Sequence, residues 1–251
     1  PILGFINFCP NAVSDADDGT AISTAAHELG HALGFSASTW PSMRMNDGTT
    51  PRTSRDESGQ PAKGAIKCSN GQNAKDERPA ASSTLKRGTS RGNPNTFTLV
   101  TPAVREEARR HFGCNTLDGM ELENQPTGQN SCWGSHWEQR VLNNELMSPV
   151  GGSSAVLSRA TLAAFQDMGW YDVNFTVAGE LSWGNKMGCE FVNNKCVDSN
   201  TGVAMGSSEG YFCTDTKQQA CNIDKTSKSV CNAAQYSGNI EPAWFQHFPN
   251  D

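Results

Sequence analysis

The stretch Ala26-His27-Glu28-Leu29-Gly30-His31-Ala32-Leu33-Gly34-Phe35 constrains this chain more than any other. It contains H-E-x-x-H. On a helix, residues four apart project from one face about one turn apart, so His27 and His31 can grip a single zinc ion. Glu28 sits beside them, close enough to take a proton from a zinc-bound water without ligating the metal. Zinc brings the pKa of such a water down to about 7, which makes hydroxide available at neutral pH. The chemistry implied is metal-assisted hydrolysis of a peptide bond. A motif this short also arises by chance around a core histidine pair, so its flanks must support it. Ile22, Ala25, Ala26, Leu29 and Leu33 recur at spacings of three and four, which predicts an apolar stripe on a buried helix. Thr20 or the Asp17-Asp18 pair can cap its start, and Gly34 suits the left-handed position that closes a helix.

A chain of 251 residues has ample length for a core in one large domain or two smaller ones. Its net charge of −6 and pI near 5.4 argue against nucleic acid as a partner. It has no apolar run long enough to span a bilayer, and no initiator Met, signal peptide or targeting tail. The cysteines nevertheless point to export, to the cell surface or beyond. Nine are present, five of them from Cys189 to Cys231, the density of a disulfide-stapled segment. No C-x-x-C repeats, which argues against a second zinc site. Because nine is odd, either one thiol is free or a partner lies outside this chain. Asn174-Phe175-Thr176 makes Asn174 a candidate glycosylation acceptor.

Residues 1–9 are rich in β-formers and predict a strand that feeds the helix through a polar connection, Pro10 to Asp18. A lone strand makes no sheet, so this beginning reads as a cut rather than a natural start. Residues 41–95 hold 10 of the 20 basic residues against five acidic ones, with hardly any aliphatic periodicity. They predict a long loop without regular structure, either a solvated mobile insertion or a basic flap favouring acidic substrates. Thr101-Pro102 opens a second helix that ends before Gly113, with Val104, Ala108 and Phe112 on its buried face and a Glu106–Arg110 pair. His111, in its last turn, reads as a packing or dipole-complementing residue. Ser135 and Glu138 resemble a capping box, which predicts His136 just inside a helix start. Met147 follows, then Ser148-Pro149 and the turn-like Gly151-Gly152-Ser153-Ser154. Ser158 begins another helix, with Leu162, Phe165 and Met168 on one face and Gly169 at its end. From about Val177 the composition shifts to Trp, Gly and Cys.

A catalytic zinc needs three protein ligands and an open position. One class of site takes a glutamate from a later helix, for which Glu106, Glu107 and Glu145 are candidates. The other takes a third histidine above a methionine turn, in the compact form H-E-x-x-H-x-x-G-x-x-H. Gly34 is in place here, but Ala37 stands where that form has its last histidine. His136 is the histidine followed at close range by a methionine in a turn, Met147.

These segments resemble the leishmanolysin family of metzincin-type surface zinc proteases. The resemblance also rests on Ala108-Arg109-Arg110-His111-Phe112-Gly113-Cys114, Gly134-Ser135-His136-Trp137-Glu138, Asn144-Glu145-Leu146-Met147, Ala164-Phe165-Gln166-Asp167-Met168-Gly169-Trp170-Tyr171, and Trp183-Gly184-Asn185 with Gly188-Cys189. It extends from Pro1 to about Pro249. It implies His27, His31 and His136 as ligands of one Zn2+ per chain, Glu28 as catalytic base, Met147 as the Met-turn and Gly34 as the residue that turns the chain away below the metal. It also implies an α+β fold in three parts. These are the end of an N-terminal catalytic lobe with the last sheet strand and the active-site helix (1–35), a mostly helical central lobe with a long basic insertion (36–176) and the start of a Cys-rich C-terminal domain (177–251). The expected protein is a monomeric endopeptidase acting on polypeptides, with a part in cell adhesion and any membrane attachment outside this chain. The alternative is a secreted or surface binding module with a non-catalytic zinc. The stretch from Gly34 to His136 departs from the family by being longer and more basic than its usual insertion.

Overall fold

The computed structural model describes residues 6–7, 9, 18–69, 71–124, 132–150, 155–198, 200–206, 210–223, 225–232 and 238. Most of the expected first strand, its polar connection and the Gly151–Ser154 turn lie outside these residues.

Helix α1, Asp18–Ala32, carries the H-E-x-x-H residues and starts on an acidic residue at its positive dipole end. Gly34 follows at φ +117°, a backbone that L side chains rarely adopt, and turns the chain so that Phe35 enters the core. One expectation fails here. Ile22, Leu29 and Leu33 are 70%, 51% and 39% exposed, so the apolar stripe does not form the buried face. At about 100° per residue the stripe is centred about 160° around the helix from His27 and His31. The described residues pack on the histidine side, where Gly30 is buried, and that rotation leaves the stripe outward.

Residues 41–95 are also corrected, because they are structured, and with their strands residues 36–176 are not the mostly helical part expected. A one-turn 3-10 helix, Trp40–Ser42, leads into β1 (Gly64–Lys67) and β2 (Asn73–Glu77), an antiparallel pair. Strands β3 (Leu85–Ser90) and β4 (Asn93–Leu99) form a hairpin closed by Arg91 and Gly92, both at positive φ. Strand β5 (Met120–Glu121) adds to β4 to complete a three-stranded sheet. The basic residues hold this stretch to the rest of the chain. Arg91 pairs with Glu121 at 2.7 Å, Lys86 with Asp118, and Arg52 with Asp167 at 3.7 Å. A disulfide, Cys68–Cys132, adds a covalent tie. Such short polar strands carry no aliphatic stripe, which is why their periodicity is silent.

Helix α2, Pro102–Phe112, forms between its expected ends, with Thr101 extended before it and Gly113 left-handed after it, but the Thr101 hydroxyl, expected as the cap, makes no capping bond. Val104, Ala108 and Phe112 are buried as expected. Arg110 pairs with Glu107 at 2.6 Å rather than with Glu106. Glu107 is buried between two guanidinium groups, Arg110 and Arg159, and that double attraction outweighs an exposed i,i+4 pair. Helix α3, Arg159–Asp167, is capped by the Ser158 hydroxyl, which accepts from the Ala160 N–H. It packs against α2, with Leu162 and Met168 buried and Gly169 left-handed beyond its end. Helix α4, Gly188–Asn193, and a small hairpin of β6 (Gln219–Cys221) and β7 (Lys228–Val230) follow.

The core gathers Phe35, Trp40, Phe97, Phe112, Trp137 and Phe191 with the aliphatic side chains of β4, β5 and α2. Of the nine cysteines six are paired, as Cys68–Cys132, Cys114–Cys189 and Cys213–Cys231. Cys9, Cys196 and Cys221 are free, so the odd count understates the unpaired thiols. Among the described residues no helix is long and apolar enough to cross a membrane.

Asp167 joins these parts. Its fully buried carboxylate accepts from the Val104 N–H at 3.0 Å, and its carbonyl accepts from Arg52 Nε at 3.0 Å. Asp167→Ala is expected to cost about 3–5 kcal/mol, because it strands a guanidinium that is itself nearly buried. Denaturant unfolding measures it, and a loss below about 1 kcal/mol would contradict this account of the junction.

Candidate metal centre

Helix α1 presents His27 and His31 on one face, as their spacing requires. Gly30 lies between them, and a Cβ there would come within 2.5 Å of Met147 Sδ. The glycine thus lets the fully buried Met147 lie against the helix beside the two histidines.

His136 arrives from outside the helix. The segment 132–137 is not the helix start that Ser135 and Glu138 suggest. Its backbone instead makes strand-like bonds, with the Trp137 N–H donating to Met147 O and the Glu138 N–H to Glu121 O, both at 2.9 Å. Its side chains dock on the stretch just after α1. Ser135 Oγ accepts from the Ala37 N–H at 3.0 Å, Trp133 Nε1 donates to Ala37 O at 2.7 Å, and Trp40 Nε1 donates to Gly134 O at 3.3 Å. Ala37, where the compact motif would place a histidine, is the anchor for the segment that brings one.

The three imidazoles meet at one point. His31 Nε2 is 3.0 Å from His27 Nε2 and 3.1 Å from His136 Nε2. Each Nδ1 is occupied on the far side of its ring. His27 Nδ1 bonds Leu146 O at 2.6 Å, His31 Nδ1 bonds Phe35 O at 2.7 Å, and His136 Nδ1 bonds Glu123 Oε2 at 2.8 Å. A carbonyl or carboxylate oxygen accepts, so each Nδ1 carries the proton and each Nε2 presents a lone pair. Three lone pairs aimed at one another repel unless a cation stands among them. Tetrahedral zinc with bonds of about 2.0–2.1 Å sets its nitrogens about 3.3–3.4 Å apart, so the donors fit that ion to within a few tenths of an ångström.

Burial holds the His31 pKa below its ordinary 6.5, aided by the two neighbouring histidines and opposed by the bond to Phe35 O. Its neutral, ligating form therefore persists at neutral pH. Glu28 stands exposed on α1, near enough for its charge to act on His31. Among the described residues no fourth His, Cys, Asp or Glu joins the three histidines.

The glutamate alternatives lie elsewhere. Glu145 is buried and saturated: it accepts from the Met147 N–H, from the Ser158 N–H and hydroxyl, and from the Thr161 hydroxyl. Glu107 is held by its two arginines, and Glu106 is not among the residues that converge. His111 is a packing residue as expected, buried with Nε2 on Trp183 O at 2.8 Å. Sequence reading missed Glu123, which orients His136 twice, through its carboxylate and through its N–H on His136 O at 2.8 Å. No motif marks it; only the pairing of residues 121–123 with 136–138 brings it there.

Three converging imidazoles, with a carboxylate on the adjoining helical residue, make up a donor set that could hold one metal ion. The chain belongs to the leishmanolysin family, whose peptidase M8 family model matches residues 1–251. It is 37% identical over 257 residues to a leishmanolysin-like peptidase of Drosophila pseudoobscura pseudoobscura and 34% identical over 263 residues to one of Caenorhabditis elegans. It is 27% identical over 249 residues to leishmanolysin of Leishmania donovani. Each comparison covers 99% of this chain, but only 37%, 39% and 35% of those three relatives.

Two outcomes follow from this geometry. Glu123→Gln should weaken metal binding about 10- to 100-fold, because the ring loses its anionic partner. Competition against a chelator measures it, and unchanged affinity would remove Glu123 from the site. In the metal-free chain the histidines should also withdraw stability as pH falls through about 6.5, against the buried Glu138 and Glu145, whose raised pKa values act the other way. Half-buried His31 and buried His111 both have lowered folded-state pKa values, so at these groups the unfolded chain takes up protons first. Thermal melts from pH 7.5 to 5 beside a His111→Gln variant isolate the His111 share, and a pH profile unchanged by the substitution would contradict it.

Proposed function

We propose that this chain is the zinc-binding part of a metalloendopeptidase that hydrolyses polypeptides. The observation that carries the proposal is the convergence of the His27, His31 and His136 lone pairs with all three Nδ1 atoms locked behind them. These histidines would hold one Zn2+. When bound, zinc supplies Lewis acidity, lowering the pKa of water and polarising a carbonyl. Glu28 takes the proton from the attacking water and delivers it to the leaving amine, a role its exposed position beside His27 permits. Met147 supports the ligands as a soft packing group against Gly30. The proposal includes a metzincin-type core, with residues 1–35 ending an N-terminal lobe, 36–176 forming a central lobe and 177–251 opening a Cys-rich domain. Three disulfides favour an extracellular or cell-surface site of action. A monomer that also serves in cell adhesion completes this reading.

Zinc content after identical dialysis, beside the His136→Ala and Glu28→Gln variants, tests it. One zinc per chain is expected, lost in His136→Ala and kept in Glu28→Gln. Peptide hydrolysis should fall by at least about 100-fold in Glu28→Gln. Substantial residual hydrolysis would refute the base. Zinc held without any hydrolysis of polypeptides would favour the binding module instead.

A further inference from the structure

Asn174-Phe175-Thr176 is the only N-x-[S/T] triplet in the chain with a non-proline centre, and the metal centre does not use it. It lies after α3, on a stretch where Asp172, Asn174, Thr176 and Val177 are all exposed. Asn174 caps the short 3-10 turn Phe175–Val177. Its Oδ1 accepts from the Thr176 N–H at 3.0 Å and from the Thr176 hydroxyl at 2.7 Å. The amide oxygen is therefore committed to the local turn. The Nδ2 group meets no acceptor among the described residues, and the Asn174 side chain holds no other element in place. Between the two, half-buried Phe175 is pinned by the Arg159 guanidinium, 4.6 Å above its ring. The turn is thus anchored on one side and open at its asparagine.

We propose that Asn174 carries an N-linked oligosaccharide. The donor is a polyprenyl-diphosphate-linked oligosaccharide. Asn174 Nδ2 forms a bond to its anomeric carbon and gives up one proton. The anomeric C–O bond breaks, and the lipid diphosphate leaves with the electron pair. The exposed acceptor accommodates a bulky hydrophilic group without displacing any packed side chain. The three disulfides place the chain on the oxidising route where this transfer occurs. The glycan stands beside Val177, which is 59% exposed, and covers apolar surface there. This inference is independent of the metal, since Asn174 contacts none of the three histidines.

The test is secretion of the chain from eukaryotic cells with a second, control sequon appended after Asp251. Peptide N-glycosidase followed by peptide mass spectrometry reads each site, because the released acceptor is left as aspartate. The expected result is a glycan at Asn174 in the natural chain and in Thr176→Ser, lost in Asn174→Gln and in Thr176→Ala. Zinc content should be the same in all four. A glycosylated control sequon with Asn174 unmodified in the same secreted molecules would overturn the proposal. So would a glycan at Asn174 that survives Thr176→Ala.

Discussion

The site depends on one docking event, the seating of residues 132–137 on the chain just beyond α1. A helix can supply two ligands at i and i+4 but no third on that face, so the third must be carried in. Ala37 offers its N–H and its carbonyl, and Ser135 and Trp133 take them. The same segment gives its backbone to Glu121 and Met147. Four structural threads thus close around His136: the helix exit, the β5 end, the methionine turn and, through Cys68–Cys132, the basic stretch. Each ring is then fixed by an acceptor at Nδ1, which orients its Nε2 before any metal arrives. This pre-setting matters because a ligand that must reorient gives up affinity in ordering.

The basic stretch acquires a different meaning in this light. Its positive charge tempts a reading in terms of substrates, since charge is visible in sequence and its partner is not. In the fold, Arg52, Lys86 and Arg91 face Asp167, Asp118 and Glu121, all carboxylates from outside the stretch. Two of those pairs are nearly buried, where removal of one partner costs far more than the pair itself is worth. Three of the ten basic residues are therefore structural adhesive between the insertion and the part of the chain that carries Glu123 and α3.

Legibility followed the range of the interaction. The ends of α2 and α3, with Pro102, Ser158, Gly113 and Gly169, were readable because a fixed φ or a cap acts within a few residues of itself. The capping box at Ser135 and Glu138 was misread for the complementary reason. The same side chains serve a long-range bond to Ala37 and a buried place beside Asn124, and these outweigh a local cap. The stripe Ile22–Leu29–Leu33 was real as a pattern, but a pattern names a face and not what covers it. The free thiols Cys196 and Cys221 show the same limit, since a count of cysteines has no geometry.

What the sequence determined by itself was the chemistry: two histidines and a glutamate at helical spacing, a third histidine ahead of a methionine turn, and the family these residues resemble. What only the tertiary structure decided was convergence and support. It set which carboxylate stands behind His136, why Gly30 must lack a side chain, and where the insertion's cations are spent. The physical reason is separation along the chain. Spacings of three and four are written in order, whereas His31 and His136 stand 105 residues apart and meet only after strands, a disulfide and buried ion pairs have closed the loop between them.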